Sequence, residues 1–192
     1  MSHLVFIRHA ETDMAGRFCG HSDPPINERG RGQVEDLTAR LGNGQEFDAI
    51  YCSDLRRAVD TAVPLAAASR RSLHTTPDLR EIYFGNWEGL TWGEIEERDP
   101  DYARNWVQSF PSLPAPNGES FTDFENRIVR TVEQLRNQEP GRKAMVVTHA
   151  GVMRVVLCRL LGYTQQEAHD ITRAYCCSFE LESAAATSEV TR

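Results

Sequence analysis

The stretch Leu4-Val5-Phe6-Ile7-Arg8-His9-Ala10-Glu11-Thr12 constrains this chain more than any other. Four apolar residues end abruptly in an arginine and a histidine, then an acid and a hydroxyl. An apolar run of that length bounded by polar groups reads as a buried strand. Arg8 and His9 then sit just past its carboxyl end, where open α/β sheets place their ligand sites. The pattern recurs twice. Ala49-Ile50-Tyr51-Cys52 runs into Ser53-Asp54-Leu55-Arg56-Arg57-Ala58, and Ala144-Met145-Val146-Val147 runs into Thr148-His149-Ala150-Gly151. Three strand ends that can meet on one sheet edge thus carry two histidines and several arginines.

The remaining chain supplies helices between such strands. Asn27 reads as an N-cap for a helix marked by Val34, Leu37 and Leu41, stopped at Gly42-Asn43-Gly44. Ser53 is expected to cap the next helix, whose apolar face is Ala58, Ala62, Leu65 and Ala66, with a kink or break near Val63 ahead of Pro64. A short strand follows near residues 73–76. Such alternation predicts a three-layer α/β/α sandwich, with a mostly parallel central sheet and helices on both faces. Residues 81–118 break the rhythm. They hold Trp87, Trp92 and Trp106 and close with Pro111, Pro114 and Pro116, and read as an inserted cap of short helices and loops. From about Gly118, with Ser120 and Asp123 in capping-box-like spacing, the positions Phe121, Phe124, Ile128, Val132 and Leu135 mark a long amphipathic helix ended by Pro140-Gly141. A strand at 143–148, a helix over 151–161 and a last strand near 177–181 complete one domain spanning 1–192, with 183–192 as a frayed tail.

Composition narrows the function. The 192 residues carry a formal net charge of −7, which argues against nucleic acid or an anionic membrane as the main partner. Arginines concentrated at a few strand ends of an acidic chain suggest a local anion site. The cysteines (Cys19, Cys52, Cys158, Cys176 and Cys177) are odd in number and lack metal-type spacing. They read as reduced thiols of a cytoplasmic protein. A strand begins almost at the amino terminus and no apolar run approaches a membrane span, so neither a signal peptide nor a transmembrane segment is expected.

If Arg8, His9, Arg57 and His149 converge, two planar guanidinium forks match phosphate oxygens. The positive surroundings would push the pKa of an imidazole among them down, leaving a neutral lone pair to attack phosphorus. Charge on the phosphoryl oxygens would be met by arginine, with no metal or cofactor expected, because no cluster shows metal-ligand spacing. A carboxylic acid must also protonate the leaving oxygen. Glu81, after the third strand, is the best placed, with Glu11 and Glu88 as rivals.

The chain here resembles the histidine phosphatase superfamily, in the branch that includes cofactor-dependent phosphoglycerate mutase. Arg8-His9-Ala10-Glu11-Thr12 matches R-H-G-E-T, with alanine in the glycine position. Ser53 to Ala62 matches S-x-L-x-R-A-x-x-T-A, which selects Arg57 and leaves Arg56 outside. Thr148-His149-Ala150-Gly151 matches T/S-H-G-G, and Leu79-Arg80-Glu81 the segment of the proton donor. The resemblance implies His9 as the phosphorylated nucleophile, Arg8, Arg57 and His149 as the phosphate pocket, and Glu81 as the acid/base. Tyr83 to Gly89 and Pro116 to Phe121 look most like the α-ribazole phosphatases of cobalamin biosynthesis, whose substrate carries a flat base that stacks on aromatic side chains. Gly20, His21, Tyr83 and Trp87 are the candidate substrate contacts. The alternatives are a broad-specificity phosphatase, a phosphoglycerate mutase (disfavoured by Ala15 where mutases carry asparagine), and a non-catalytic phosphate-binding module. The expected partner is a small-molecule phosphate ester, with a homodimer as the candidate assembly.

Overall fold

The computed structural model describes residues 2–41, 47–138 and 141–182. Strands β1 (His3–Arg8), β2 (Ala49–Ser53), β3 (Leu73–Thr76), β4 (Lys143–Thr148) and β5 (Ser178–Glu182) form one sheet in the order β3-β2-β4-β1-β5. The first four run parallel, and β5 pairs antiparallel with β1. Arg8 lies opposite Thr148 in the β1–β4 register. The two strands therefore release His9 and His149 at the same height.

Side chains alternate across a strand, so an unbroken apolar run serves two cores at once. Leu4 and Phe6 join Phe124, Ile128 and Val132 of α5 (Phe121–Gln138) and Val152 and Val156 of α6 (Ala150–Leu160). Val5 and Ile7 point the other way, into Val34 and Leu37 of α1 (Glu28–Leu41) and Ala58, Ala62 and Leu65 of α2 (Arg56–Ser69). The result is the expected sandwich of helices on both faces of a mostly parallel sheet. Residues 81–118 have a third core of their own, in which Trp87, Ile95, Ala103 and Ala115 are buried, built around α3 (Trp92–Arg98) and α4 (Pro100–Ser109).

Several local expectations need correcting. Ser53 does not cap α2. It ends β2, its Oγ accepts from Leu55 N at 3.3 Å, and Leu55 occupies the cap position without a side-chain bond. Helix α2 also runs unbroken through Pro64. An interior proline costs roughly 3 kcal/mol, yet each fully buried large apolar side chain returns about 1.5–3 kcal/mol. Leu65 is fully buried alongside Ala58 and Ala62, so the packed face outweighs the missing donor. Asn27 does cap α1, its Oδ1 accepting from Gly30 N at 2.8 Å, and Ser120 Oγ accepts from Asp123 N at the start of α5. The stop at 42–44, Pro140 and the tail 183–192 lie outside the described residues. One helix was not anticipated: α7 (Gln165–Thr172), opened by a capping box between Thr164 and Glu167. No helix among the described residues is long and apolar enough to cross a membrane.

Candidate active site

His9 leaves β1 with 8 % exposure. Its backbone N–H donates to Thr148 O at 2.8 Å, which ties it to the neighbouring strand end. Its ring Nδ1 lies 2.7 Å from its neighbour's carbonyl, Ala10 O. A carbonyl can only accept, so Nδ1 carries the proton and the Nε2 lone pair is left free. Ala10 N donates to Thr61 Oγ1 at 3.0 Å, and that hydroxyl donates to Arg57 O, anchoring the loop to α2. His149, fully buried, stands at the N-cap position of α6 with its ring 5.1 Å from that of His9. Among the described residues, neither ring nitrogen of His149 has a protein partner.

Two arginines surround this pair. Arg57 is fully buried. Its terminal nitrogens donate to Ser22 O at 2.6 Å, Gly20 O at 2.7 Å and Cys19 O at 3.2 Å. It therefore fixes the loop after the first strand, and among the described residues its Nε finds no partner. Arg8 donates from Nη1 to Thr172 O at 2.9 Å and Arg173 O at 2.5 Å, and its guanidinium lies 4.1 Å above the Tyr175 ring. Burial holds the pKa of His9 well below the ordinary imidazole value, with Arg57 and then Arg8 adding to the shift against the Ala10 carbonyl. His149 is lowered by burial and then by Arg57, His9 and Arg8. Both rings are neutral at pH 7. Arg56, by contrast, turns outward toward Asp60.

Glu81 comes to the same place from the segment after β3. Its Oε2 accepts from Gly151 N at 2.8 Å and its Oε1 from Ile82 N at 2.9 Å. A Cβ at position 151 would lie 2.1 Å from Glu81 Oε1, so only glycine lets the carboxylate dock on the first turn of α6. The rivals are occupied elsewhere. Glu88 accepts from the backbone of Gly20, His21, Ser22 and Phe84 and from the Ser22 hydroxyl. Burial alone would raise the Glu88 carboxyl, but the Ser22, Phe84 and His21 bonds prevail and hold it below the ordinary carboxylate range. Glu11 accepts from Asn27 Nδ2 at 3.2 Å and lines neither cavity described below.

Two cavities meet at Glu81. One, of about 300 Å³, is lined by Arg8, His9, Thr12, Cys19, Glu81 and Tyr175 among others. Arg57 and His149 are fully buried and are not among its lining residues. The other, of about 330 Å³, is lined mainly by aromatic and apolar side chains, including Tyr83, Trp106, Phe110, Phe121 and Phe124, together with Arg154. Phe18, Glu81, Phe84 and Ala150 line both.

The candidate substrate contacts divide. Tyr83 lines the aromatic cavity, whereas Gly20, His21 and Trp87 line neither. Trp87 is 4 % exposed and packs against Phe18, Trp92, Tyr102 and Trp106 in the cap's own core. Gly20 is a close-approach residue, since a Cβ there would meet Ile82 O at 2.1 Å. His21 donates from Nε2 to Glu81 O at 3.1 Å and so supports the acid's backbone. Sequence reasoning missed Tyr175 and Arg154. The Thr164–Glu167 capping box could have revealed α7, which brings its carbonyls to Arg8, but no local signal marks Tyr175. Among the described residues, the group with metal-like clustering is His3, Glu180 and Glu182, at the opposite end of β1.

Residues 4–192 match the histidine phosphatase superfamily (branch 1). A metal-independent phosphoserine phosphatase of Arabidopsis thaliana is 35% identical over 164 residues, covering 83% of this chain and 69% of that protein. An adenosylcobalamin/alpha-ribazole phosphatase of Salmonella typhimurium is 32% identical over 160 residues, covering 82% and 79%. The crystal structure of the alpha-ribazole phosphatase from Shigella flexneri superimposes with a TM-score of 0.84 at 27% identity, covering 94% of this chain and 90% of that one. The chain belongs to the histidine phosphatase superfamily, and its activity is that of a phosphatase.

Proposed function

We propose that the protein is a metal-independent phosphomonoesterase working through a phosphohistidine on His9, with α-ribazole 5′-phosphate of cobalamin biosynthesis as its leading substrate. The reading rests on one observation above all: Glu81 lies where a cationic histidine cavity opens into an aromatic one. His9 Nε2 attacks phosphorus while the P–O bond to the alcohol breaks and a protonated Glu81 delivers its proton to the leaving oxygen. Glu81, now a carboxylate, takes a proton from water as that water attacks the phosphohistidine. Inorganic phosphate leaves, and His9 and Glu81 return to their starting forms. Arg8, the charge and Nε of Arg57, and an N–H of His149 stabilise the phosphoryl oxygens.

The aromatic cavity receives the leaving alcohol. Its walls suit a flat base such as dimethylbenzimidazole better than the small, doubly charged serine of phosphoserine. Relatives named phosphoserine phosphatase keep that second ester in view, as part of a broad-specificity alternative. The acidic net charge supports an enzyme that binds neither nucleic acid nor membrane, the free cysteines fit a cytoplasmic setting, and a homodimer is the proposed assembly.

A kinetic panel of α-ribazole 5′-phosphate, O-phosphoserine, 3-phosphoglycerate and p-nitrophenyl phosphate tests this reading, run with wild type and His9→Ala. We expect α-ribazole 5′-phosphate to lead the panel and ³²P to be trapped on the wild-type protein. His9→Ala should lose the label and roughly 10⁴-fold or more in rate. Equal, negligible rates in both proteins would leave only a phosphate-binding module, and equal, substantial rates would move the nucleophile away from His9. Interconversion of 2- and 3-phosphoglycerate would make the protein a mutase.

A further inference from the structure

The aromatic cavity holds one cation that the reaction above does not use. Ala150, Gly151, Arg154, Val155 and Cys158 form the face of α6 that lines this cavity. Arg154 lies about one helical turn, roughly 5 Å, beyond the glycine whose N–H holds the Glu81 carboxylate. Its Nε donates to Thr172 Oγ1 at 3.0 Å, and that hydroxyl donates to Ala168 O at 2.8 Å, so the guanidinium is pinned to α7. Among the described residues no other protein atom bonds it, and both terminal nitrogens are left without a protein partner. Arg154 is part-buried and lines the same cavity as Trp106, Phe110, Phe121 and Phe124, with Glu81, Glu119 and Glu125 also in its wall. Its planar fork gains most from an acceptor oxygen placed in its plane.

Resting on the phosphomonoesterase reading, we propose that Arg154 determines specificity by donating to an acceptor oxygen of the leaving alcohol, a few bonds from the ester oxygen. A sugar hydroxyl and a carboxylate share that chemistry. The cavity then reads in order along α6: phosphoryl group at His9, ester oxygen at Glu81, acceptor oxygen at Arg154, flat apolar remainder against the aromatic wall. For a riboside 5′-phosphate this is the order of groups along the molecule.

The test compares esters that differ in the acceptor group alone, the two ribose hydroxyls in one pair and the carboxylate in the other. One pair is a ribonucleoside 5′-monophosphate and its 2′,3′-dideoxy counterpart; the other is O-phosphoserine and O-phosphoethanolamine, which lacks the carboxylate. Wild type should favour the oxygen-bearing member of at least one pair in kcat/KM by roughly 10-fold or more, the strength of a hydrogen bond to a charged group. The pair that responds identifies the acceptor. Arg154→Met should bring that ratio to within about twofold of unity, and Thr172→Val, which frees the guanidinium without removing it, should lose part of it. Thr172→Val also keeps the question answerable if Arg154→Met fails to fold. A wild type that discriminates in neither pair, or a ratio that Arg154→Met leaves unchanged, overturns the assignment. Labelling of His9 in the wild type is read separately, so a failed specificity role is distinguishable from a failed phosphohistidine.

Discussion

The two cavities that meet at Glu81 are built in opposite ways. The histidine cavity comes from strand ends: the β1–β4 register sets His9 beside His149, and α2 delivers a fully buried Arg57 behind them. Arg8, His9 and Arg57 are held there by backbone carbonyls of residues 172–173, 10 and 19–22. The aromatic cavity draws largely on the inserted segment, whose rings pack in a satellite core of their own. The difference separates two tasks. A reaction common to many esters needs a rigid, desolvated charge arrangement, whereas choice among esters can be carried by a segment that varies without touching the sheet.

Disturbing the junction should produce the largest effect after loss of the nucleophile. Glu81→Gln removes the proton donor but keeps the bond from Gly151, and should cost roughly 10²–10⁴-fold in turnover. The loss should be smallest for p-nitrophenyl phosphate, whose leaving group needs least protonation. An unchanged rate for alkyl esters would move the proton role elsewhere. Gly151→Ala reaches the same carboxylate from the other side. The added methyl displaces Glu81 and should cost roughly 10–100-fold through misplacement. Combined with Glu81→Gln it should add little, because both changes act on one group.

Changes in the aromatic wall should act on some substrates and spare others. Trp106→Ala removes a ring from the second cavity and should lower kcat/KM for esters of flat aromatic alcohols by roughly 10-fold, the value of one stacked base. O-Phosphoethanolamine should suffer much less. Equal losses on all esters would break the division between a reacting end and a selecting end.

Legibility in the sequence followed the same division. Strand ends were readable because each apolar run stops at a polar residue, as at Ile7-Arg8 and Val147-Thr148-His149. The requirement for glycine at 151 was visible only as a motif letter, and its reason is a carboxylate arriving from another segment. Trp87 looked like a ligand contact because aromatic residues clustered around it. Its own neighbours bury it, and composition alone cannot tell a core ring from a wall ring. Arg154 and Tyr175 were missed because their roles depend on how α6, α7 and the final turn pack together, which no local pattern encodes.

Acid should weaken the histidine end first. His9 and His149 both have pKa values well below the ordinary 6.5, chiefly because they are buried. Below about pH 6.5 the unfolded chain therefore binds more protons than the folded one, and stability falls as pH drops. Above about pH 6.5 this contribution is fully present. The urea midpoint followed by circular dichroism should thus be lower at about pH 5.5 than at about pH 7.5. All three tryptophans lie within residues 81–118, so their fluorescence reports the cap. Fluorescence changing in acid ahead of the circular dichroism would place the acid-sensitive element in the cap instead.

The smallest effect is expected at Arg56, and it sharpens the boundary of the histidine end. Arg56 and Arg57 are adjacent on α2, yet one helical step turns them to different surroundings. Arg57 is fully buried and grips three carbonyls of the 19–22 loop. The Arg56 side chain is 62% exposed, with its Nε 3.8 Å from Asp60 Oδ2. Exposed pairs of this kind contribute about 0–1 kcal/mol. The nearby bond from Arg56 N to Asp23 Oδ1 uses the backbone and survives side-chain removal. Arg56→Ala should therefore change stability by less than about 0.5 kcal/mol and vanadate inhibition by less than about twofold. A tenfold loss of vanadate affinity would mean that the phosphoryl group draws on a solvent-exposed cation. The buried charge that distinguishes the histidine end from the aromatic cavity would then not be its whole means of holding the phosphoryl group.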